Sequence, residues 1–232
     1  MKQTLINSGI VTALFVGLWV ALDVPLRGYT ATPDAPPNNT ATDKRSPSSQ
    51  EALMKDGLFL LYTQKNPTAA VSKFSAIIDQ DGAHYGAAFQ YAKALDMSGD
   101  LEAAQTAWGR FLPMAQESQD TDAISWASDR IDRLSAAIND CKSLMNQGVE
   151  MLHNEQNTTG AIGALSAVLS QWPTHYGAAY QLAQALERDG QAANALKAWQ
   201  RVMVQAKQID AHEDIAAARS AIERIEQVIS KQ

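Results

Sequence analysis

This sequence contains few cysteines and histidines, and it has fewer basic than acidic residues. Its 232 residues include 1 cysteine and 4 histidines, which is too few for an internal disulfide framework or a cysteine-rich zinc site. The 19 lysines and arginines are outnumbered by 25 aspartates and glutamates, so the net charge is −6. Because nucleic-acid binding depends on a basic surface that displaces counterions, this charge balance excludes a general nucleic-acid binder.

Motifs of catalysis are missing as well. The sequence has neither a glycine-rich phosphate-binding loop nor a Gly-x-Ser-x-Gly nucleophile elbow. His84 and His175 stand in identical His-Tyr-Gly-Ala-Ala segments, so a paired ligand or catalytic site is one interpretation of them. The simpler interpretation is that each histidine opens a helix and recurs because the surrounding segment recurs. On that interpretation the protein is not an enzyme.

The remaining candidates for metal or redox chemistry also have simpler explanations. Cys141 has no second cysteine to pair with, and we predict a buried or partly exposed thiol. The acidic residues Glu117, Asp120 and Asp122 lack the spacing and the glycine of a calcium-binding loop. They predict a solvated turn that caps the start of a helix. We therefore predict no metal site and no cofactor.

An uncharged apolar run lies near the N-terminus. It covers residues 4–22, and its length of about 19 residues is close to that of a bilayer-spanning helix. No good cleavage site follows it, so we predict an uncleaved transmembrane signal-anchor over residues 1–22, with a cleaved signal peptide as the alternative. The short basic flank at Lys2 predicts a bacterial inner-membrane protein with a periplasmic C-terminal body. A cytoplasmic body is the alternative orientation.

The next segment, residues 23–50, has the composition of a linker. It holds five of the eight prolines together with many threonine, serine, asparagine and aspartate residues. Such a segment cannot bury enough apolar surface to order itself. We therefore predict a flexible, disordered tether between the anchor and the rest of the chain.

The rest of the chain is an internal duplication. A shift of 91 residues aligns the segment that begins at His84, HYGAAFQYAKALDMSGDLEAAQTAW, with the segment that begins at His175, HYGAAYQLAQALERDGQAANALKAW. The alignment needs no gaps and extends well beyond both segments, which indicates a repeated unit. The duplication predicts two modules, residues 51–140 and residues 141–232.

Each module is predicted to be entirely helical. Alanine-rich segments carry apolar residues at spacings of three and four, and turn residues such as Asn66-Pro67 and Asp189-Gly190 separate them. The predicted helices of the first module cover residues 51–63, 67–80, 84–98, 101–117 and 120–139. The same boundaries, shifted by 91 residues, describe the helices of the second module.

Alanine, leucine, glycine and tryptophan residues recur at fixed positions in these helices and in the turns between them. In the first module they are Ala92, Leu95, Gly99, Ala104 and Trp108, and in the second module they are Ala183, Leu186, Gly190, Ala195 and Trp199. With this pattern the first four helices of each module resemble tetratricopeptide repeats (TPRs), two per module. The resemblance implies an all-α protein in which helix pairs stack as an α-solenoid. The two tryptophans are expected to fill the space between pairs, and each fifth helix is expected to cap or extend the stack.

The resemblance also implies which residues bind a partner. In tetratricopeptide proteins the first helix of each pair lines the inner face, where partners bind. Transferred to this sequence, those positions predict a more apolar set in the first module and a more polar set in the second. The predicted partner-binding residues are Met54, Leu58, Tyr62, Phe89, Lys93, Met97, Met145, Val149, His153, Tyr180, Gln184 and Arg188.

Together these features predict a membrane-anchored scaffold that binds other proteins and has no enzymatic activity. We expect an accessory subunit or assembly factor of a membrane complex. A periplasmic chaperone-like adaptor for exported clients is the alternative, and anchored tetratricopeptide proteins of bacterial cytochrome c maturation are similar in architecture. A homo-oligomer that pairs through the fifth helices also stays open.

Overall fold

The computed structural model describes residues 49–154 and 156–231. This part of the chain contains nine α-helices and no β-strand. The first of them continues into one π-helical turn, Phe59–Thr63, in which the Gln64 N–H donates to the Phe59 carbonyl. The helices are α1 (Ser49–Leu58), α2 (Pro67–Gln80), α3 (Tyr85–Ser98), α4 (Leu101–Glu117), α5 (Thr121–His153), α6 (Thr158–Gln171), α7 (Tyr176–Arg188), α8 (Ala192–Gln208) and α9 (His212–Ile229).

The predicted membrane anchor at residues 1–22 lies outside the described residues, as does the linker up to residue 48. None of the nine helices described has both the length and the apolar content that a bilayer-spanning helix requires. The helix α1 begins at Ser49, two residues before the start predicted for the first module.

Polar side chains fix the starts of most helices. The side chains of Asn66, Asp100, Asp120 and Asn157 each accept a hydrogen bond from the backbone N–H three residues further on. Such N-caps satisfy a backbone donor that has no partner within the helix. The cap formed by Asp120 confirms the prediction that the acidic turn before α5 opens a helix.

Each helix packs against the next one along the chain, and the connections between helices are only a few residues long. Short connections place consecutive helices side by side and antiparallel, so the described residues form a solenoid-like stack of helix pairs. The prediction of an all-α fold is confirmed for this part of the chain. Four helices, α2, α4, α6 and α8, have the bounds that the sequence predicted.

The junction between the two modules differs from the prediction. The sequence predicted separate helices at residues 120–139 and 142–154, whereas α5 is one continuous helix of 33 residues. Residues 136–144 contain neither proline nor glycine, and Ile138 and Cys141 are buried in the core. Because nothing breaks the helix and its apolar side stays covered, the boundary inferred from the duplication falls inside α5.

The core of the first module is centred on aromatic residues. Trp108 is completely buried, and its ring lies 4.4 Å from that of Trp126 and 5.5 Å from that of Phe89. Trp199, at the equivalent position of the second module, is 3% exposed. Both tryptophans therefore fill the space between helices, as predicted. Edge-to-face contacts of this kind add about 0.5–1.5 kcal/mol to the burial of the rings.

The duplication is visible in the backbone as well as in the sequence. Lys65 and Gln156, which are equivalent, have φ angles of 54° and 53°, and the equivalent residues Gln119 and Asp210 have φ angles of 57° and 54°. These are the four non-glycine residues with positive φ in the described part of the chain. Left-handed residues are rare, so their recurrence shows that both modules end their helices in the same way.

Candidate functional site

The two recurring histidines serve as helix caps. His84 Nδ1 accepts a hydrogen bond from the Ala87 N–H at 3.1 Å, and His175 Nδ1 accepts one from the Ala178 N–H at 3.0 Å. The prediction that each histidine opens a helix is confirmed. Since the same ring nitrogen is used in both cases, the recurrence follows from the duplicated helix start.

Cys141 and the acidic residues offer no reactive centre either. The side chain of Cys141 is fully buried, and this burial, followed in effect by the charge of Asp140, raises the pKa of its thiol. A buried thiol with a raised pKa carries little thiolate and is a poor nucleophile. Within the described residues, no three histidine, cysteine, aspartate or glutamate side chains are grouped so that they could hold a metal ion.

The twelve residues predicted to bind a partner lie on α1 with its π-helical turn, α3, α5 and α7, and all of them are at least partly exposed. We call the surface that these helices carry the α1–α3–α5–α7 face. Tyr62 donates a hydrogen bond to Gln90 Oε1 at 3.0 Å, and His153 Nε2 lies 3.1 Å from Gln181 Oε1. Each module therefore links its two face-forming helices through the same pair of positions.

The face of the first module combines a ring with a cation. Lys93 Nζ lies 5.0 Å from the centre of the Tyr62 ring, and Tyr62 is 39% exposed. This distance is within the range of a cation–π contact. Tyr62 and Lys93, both predicted from the sequence, are thus brought together at the surface.

Several of the predicted apolar residues also pack against the core. Met54, Leu58 and Met97 contact the core of the first helix pairs, and Phe89 belongs to the aromatic cluster around Trp108. Met145 contacts the core on both sides of the module junction. These side chains are half-buried, so replacing them would disturb the fold as well as the surface. Their role in binding stays a prediction.

The second module has an open cleft on this face. The cleft has a volume of about 410 Å³ and lies between α7, α8 and α9. Three of its lining residues, Tyr180, Gln184 and Arg188, are among those predicted to bind a partner. The others, which the sequence analysis did not include, are Glu187, Trp199, Ala217, Ser220 and Arg224.

Sequence reasoning missed the contribution of α9 to this cleft because it took the partner-binding residues only from the first helix of each pair and expected the fifth helix to cap or extend the stack. Ala217, Ser220 and Arg224 are spaced three and four residues apart and therefore share one face of α9. That spacing was available in the sequence. What the sequence did not indicate was that this face of α9 borders the same cleft as α7, with Arg224 paired to Glu187.

Of the two arginines that line the cleft, one is paired with a carboxylate and the other is not. Glu187 accepts hydrogen bonds from Trp199 Nε1 at 2.9 Å and from Arg224 Nη2 at 2.9 Å, so the charge of Arg224 is balanced. Arg188 Nη1 donates to the Leu152 carbonyl at 3.1 Å. Within the described residues no carboxylate forms an ion pair with Arg188. One uncompensated positive charge therefore lies at the cleft.

Comparison with known proteins identifies no family. No family model matches the sequence, and no curated protein matches it. Among solved structures, MamA 41-end from Desulfovibrio magneticus RS-1 is 17% identical, with a TM-score of 0.31, over 80% of this chain and 97% of that chain. The MamA RS-1 ArsTM double mutant has the same identity and TM-score over 80% and 98% of the two chains. A further crystal structure of MamA is 14% identical, with a TM-score of 0.28, over 71% and 96%.

Proposed function

We propose that this protein is a protein–protein interaction scaffold without enzymatic activity, which binds a polypeptide along the α1–α3–α5–α7 face. The observation that carries the proposal is the cleft in the second module. Tyr180, Gln184 and Arg188, which sequence reasoning selected for partner binding, line one cleft of about 410 Å³. Tyrosine and arginine are among the side chains that most often anchor partners at protein interfaces.

Hydrogen bonds between the helices of this face support the same function. Hydrogen bonds between Tyr62 and Gln90, and between His153 and Gln181, connect neighbouring face-forming helices in both modules. The side chains of Tyr62 and His153 are thereby held in place before a partner arrives. A preorganised surface loses less conformational entropy on binding, which raises affinity for a given contact area.

We further propose that the scaffold is held at a bacterial inner membrane with its C-terminal body in the periplasm. The support for this placement is the uncharged apolar run at residues 4–22, with Lys2 before it. Residues 23–48, which precede α1, would then act as the tether. At the membrane the scaffold serves as an accessory subunit or assembly factor of a membrane complex.

The test is to purify the tagged full-length protein from native membranes in mild detergent and to identify co-purifying proteins by mass spectrometry. The wild type is compared with Arg188→Glu, which reverses the uncompensated charge at the cleft. The matched control is Lys197→Glu, which makes the same charge change at an exposed residue of α8 that does not line the cleft. Circular dichroism verifies that both variants keep the helical content of the wild type.

We expect the wild type and Lys197→Glu to retain the same membrane proteins in near-stoichiometric amounts, and Arg188→Glu to lose them. Many substoichiometric exported proteins would instead identify a chaperone-like adaptor. Equal retention by all three forms would show that this part of the face does not bind the partner. If the tagged protein is recovered alone, and the mass of its assemblies rises with protein concentration, a homo-oligomer would be favoured.

A further inference from the structure

One pair of equivalent positions carries a large side chain in the first module and a small one in the second. In the first module, Trp126 on α5 places its indole against two aromatic rings of the face and core. Its ring centre lies 5.5 Å from that of Phe89 and 4.4 Å from that of Trp108. A side chain of the protein itself thus fills the space beside α3 and α4.

The second module has the same two aromatic rings beside this space, but no large side chain occupies it. Tyr180 and Trp199, which are equivalent to Phe89 and Trp108, form an edge-to-face pair at 5.2 Å and 84°, against 5.5 Å and 79° in the first module. The residue equivalent to Trp126 is Ala217. Tyr180, Trp199 and Ala217 all line the cleft of about 410 Å³.

We propose that this cleft binds an indole side chain of a partner polypeptide, in the place that Trp126 fills in the first module. The proposal rests on the proposed scaffold function and names the chemistry that its cleft recognises. The first module shows that this arrangement of two rings accepts an indole in contact with both. The volume of the cleft is also in the range of about 300 to 1,000 Å³ that is usual for ligand pockets.

The charge at the cleft adds a second element of recognition. Arg188 has no carboxylate partner in the described residues, and its remaining guanidinium donors are free to bind an anion. Arg224, by contrast, is paired with Glu187. A carboxylate beside the incoming indole, from an aspartate, a glutamate or a chain terminus, would pair with Arg188. The ligand is therefore an indole side chain with a carboxylate close to it.

The test uses the full-length protein in detergent and three small probes. N-acetyl-tryptophan carries both the indole and a carboxylate, N-acetyl-tryptophanamide carries the indole alone, and N-acetyl-leucine carries the carboxylate with an aliphatic side chain. The readout is the indole N–H resonance of Trp199 in a ¹⁵N-labelled sample. The indole resonance of Trp172, which does not line the cleft, is the internal control.

Two variants separate the parts of the site. Ala217→Trp fills the cleft with the residue found at the equivalent position of the first module. Arg188→Gln removes the uncompensated charge and keeps a polar side chain of similar length. The matched control for the first change is Ala216→Trp, an exposed neighbour on α9 that does not line the cleft.

We expect N-acetyl-tryptophan to shift the Trp199 resonance at millimolar concentration in the wild type and in Ala216→Trp. Ala217→Trp should weaken this binding by about tenfold or more, because the space is filled. Arg188→Gln should lower the affinity for N-acetyl-tryptophan to that for N-acetyl-tryptophanamide, and it should leave the affinity for the amide unchanged. N-acetyl-leucine should have no effect.

The proposal is overturned if N-acetyl-tryptophan leaves the Trp199 resonance of the wild type unmoved, or if Ala217→Trp binds the probe as well as the wild type does. Binding of the amide and the acid with equal affinity would overturn the role of Arg188. These results are independent of the purification experiment. A scaffold that binds its partners elsewhere would still capture them, whereas a failed scaffold function would leave the probe titration intact.

Discussion

Asp96 on α3 and Glu187 on α7 are equivalent acidic residues that bind different arginines. Asp96 pairs with Arg130 on α5, and Glu187 pairs with Arg224 on α9. The equivalent of Arg224 in the first module is Arg133, one turn further along the helix than Arg130. The acidic position is thus kept while its partner has moved by one turn. The pairing that leaves space for the cleft is a property of the second module alone.

Exchanging the residues at the duplicated aromatic position should change stability in opposite directions. Trp126→Ala removes a half-buried indole from the cluster around Trp108, and we expect it to lower the free energy of unfolding by about 3–5 kcal/mol. Ala217→Trp places an indole against Tyr180 and Trp199, and we expect a gain of about 1 kcal/mol. Urea denaturation followed by circular dichroism measures both. A loss of stability in Ala217→Trp would mean that the cleft cannot hold an indole.

The hydrogen bond of Tyr176 should make stability depend on pH above the ordinary pKa of tyrosine. Burial, and then the hydrogen bond to Asp214 at 2.7 Å, raises the pKa of the Tyr176 phenol. The folded state therefore holds this proton more tightly than the unfolded state, in which the pKa is about 10. The contribution to stability is complete below pH 10 and is lost as the pH rises above it.

Tyr176→Phe tests this expectation. We expect the free energy of unfolding to fall by about 1–2 kcal/mol at pH 8, since the hydrogen bond is lost, and to decline less steeply than in the wild type above pH 10. Urea denaturation at several pH values gives both quantities. Tyr91→Phe is the matched control, because the Tyr91 hydroxyl makes no hydrogen bond within the described residues. A wild-type slope in Tyr176→Phe would contradict the argument.

At the scale of helices, the sequence predicted most bounds because the signals that set them are local. Capping residues such as Asn66, Asp100 and Asn157 are visible in the sequence, and they begin helices where predicted. The continuous helix α5 was missed because the duplication suggested a new helix near residue 141, whereas no residue there stops one. The π-helical turn at Phe59–Thr63 has no such local signal.

Glycines inside the helices should respond to alanine according to what surrounds them. A Cβ atom at Gly148 on α5 would lie 2.8 Å from Cγ of Leu165, which is fully buried and has no room to move. A Cβ atom at Gly163 on α6 would meet nothing within 4 Å. The first position therefore needs a glycine for the close approach of α6, and the second does not.

We expect Gly148→Ala to lower the free energy of unfolding by about 1–3 kcal/mol, because the core must shift to accept the methyl group. Gly163→Ala should raise it by about 0.5–1 kcal/mol, because alanine loses less conformational entropy in a helix. Thermal and urea denaturation of the two variants form a matched pair. Equal effects of both substitutions would show that α5 and α6 are less closely packed than the contact at Leu165 indicates.

At the scale of the whole described body, the site was harder to predict than the fold. Tyr180, Gln184 and Arg188 follow from their positions on the first helix of a pair. The part played by Arg224 and Ala217 depends on how α9, which packs against α8, is placed across the cleft from α7. The ion pair between Glu187 and Arg224, for example, joins residues 37 positions apart in the chain. Local patterns define helices, but contacts over such separations are set by the way the helices stack.

The continuous helix α5 should couple the unfolding of the two modules. Asp140 is exposed in the middle of α5, and Asp140→Pro removes a backbone hydrogen bond and clashes with the preceding turn, at a cost of about 3 kcal/mol. Because α5 packs against helices of both modules, we expect the wild type to unfold in one urea transition and the proline variant in two, or in one with a smaller m-value. Asp140→Ala, which favours the helix, should keep a single transition. A proline variant that unfolds like the wild type would mean that the modules are coupled through side-chain packing alone, without need of the continuous helix.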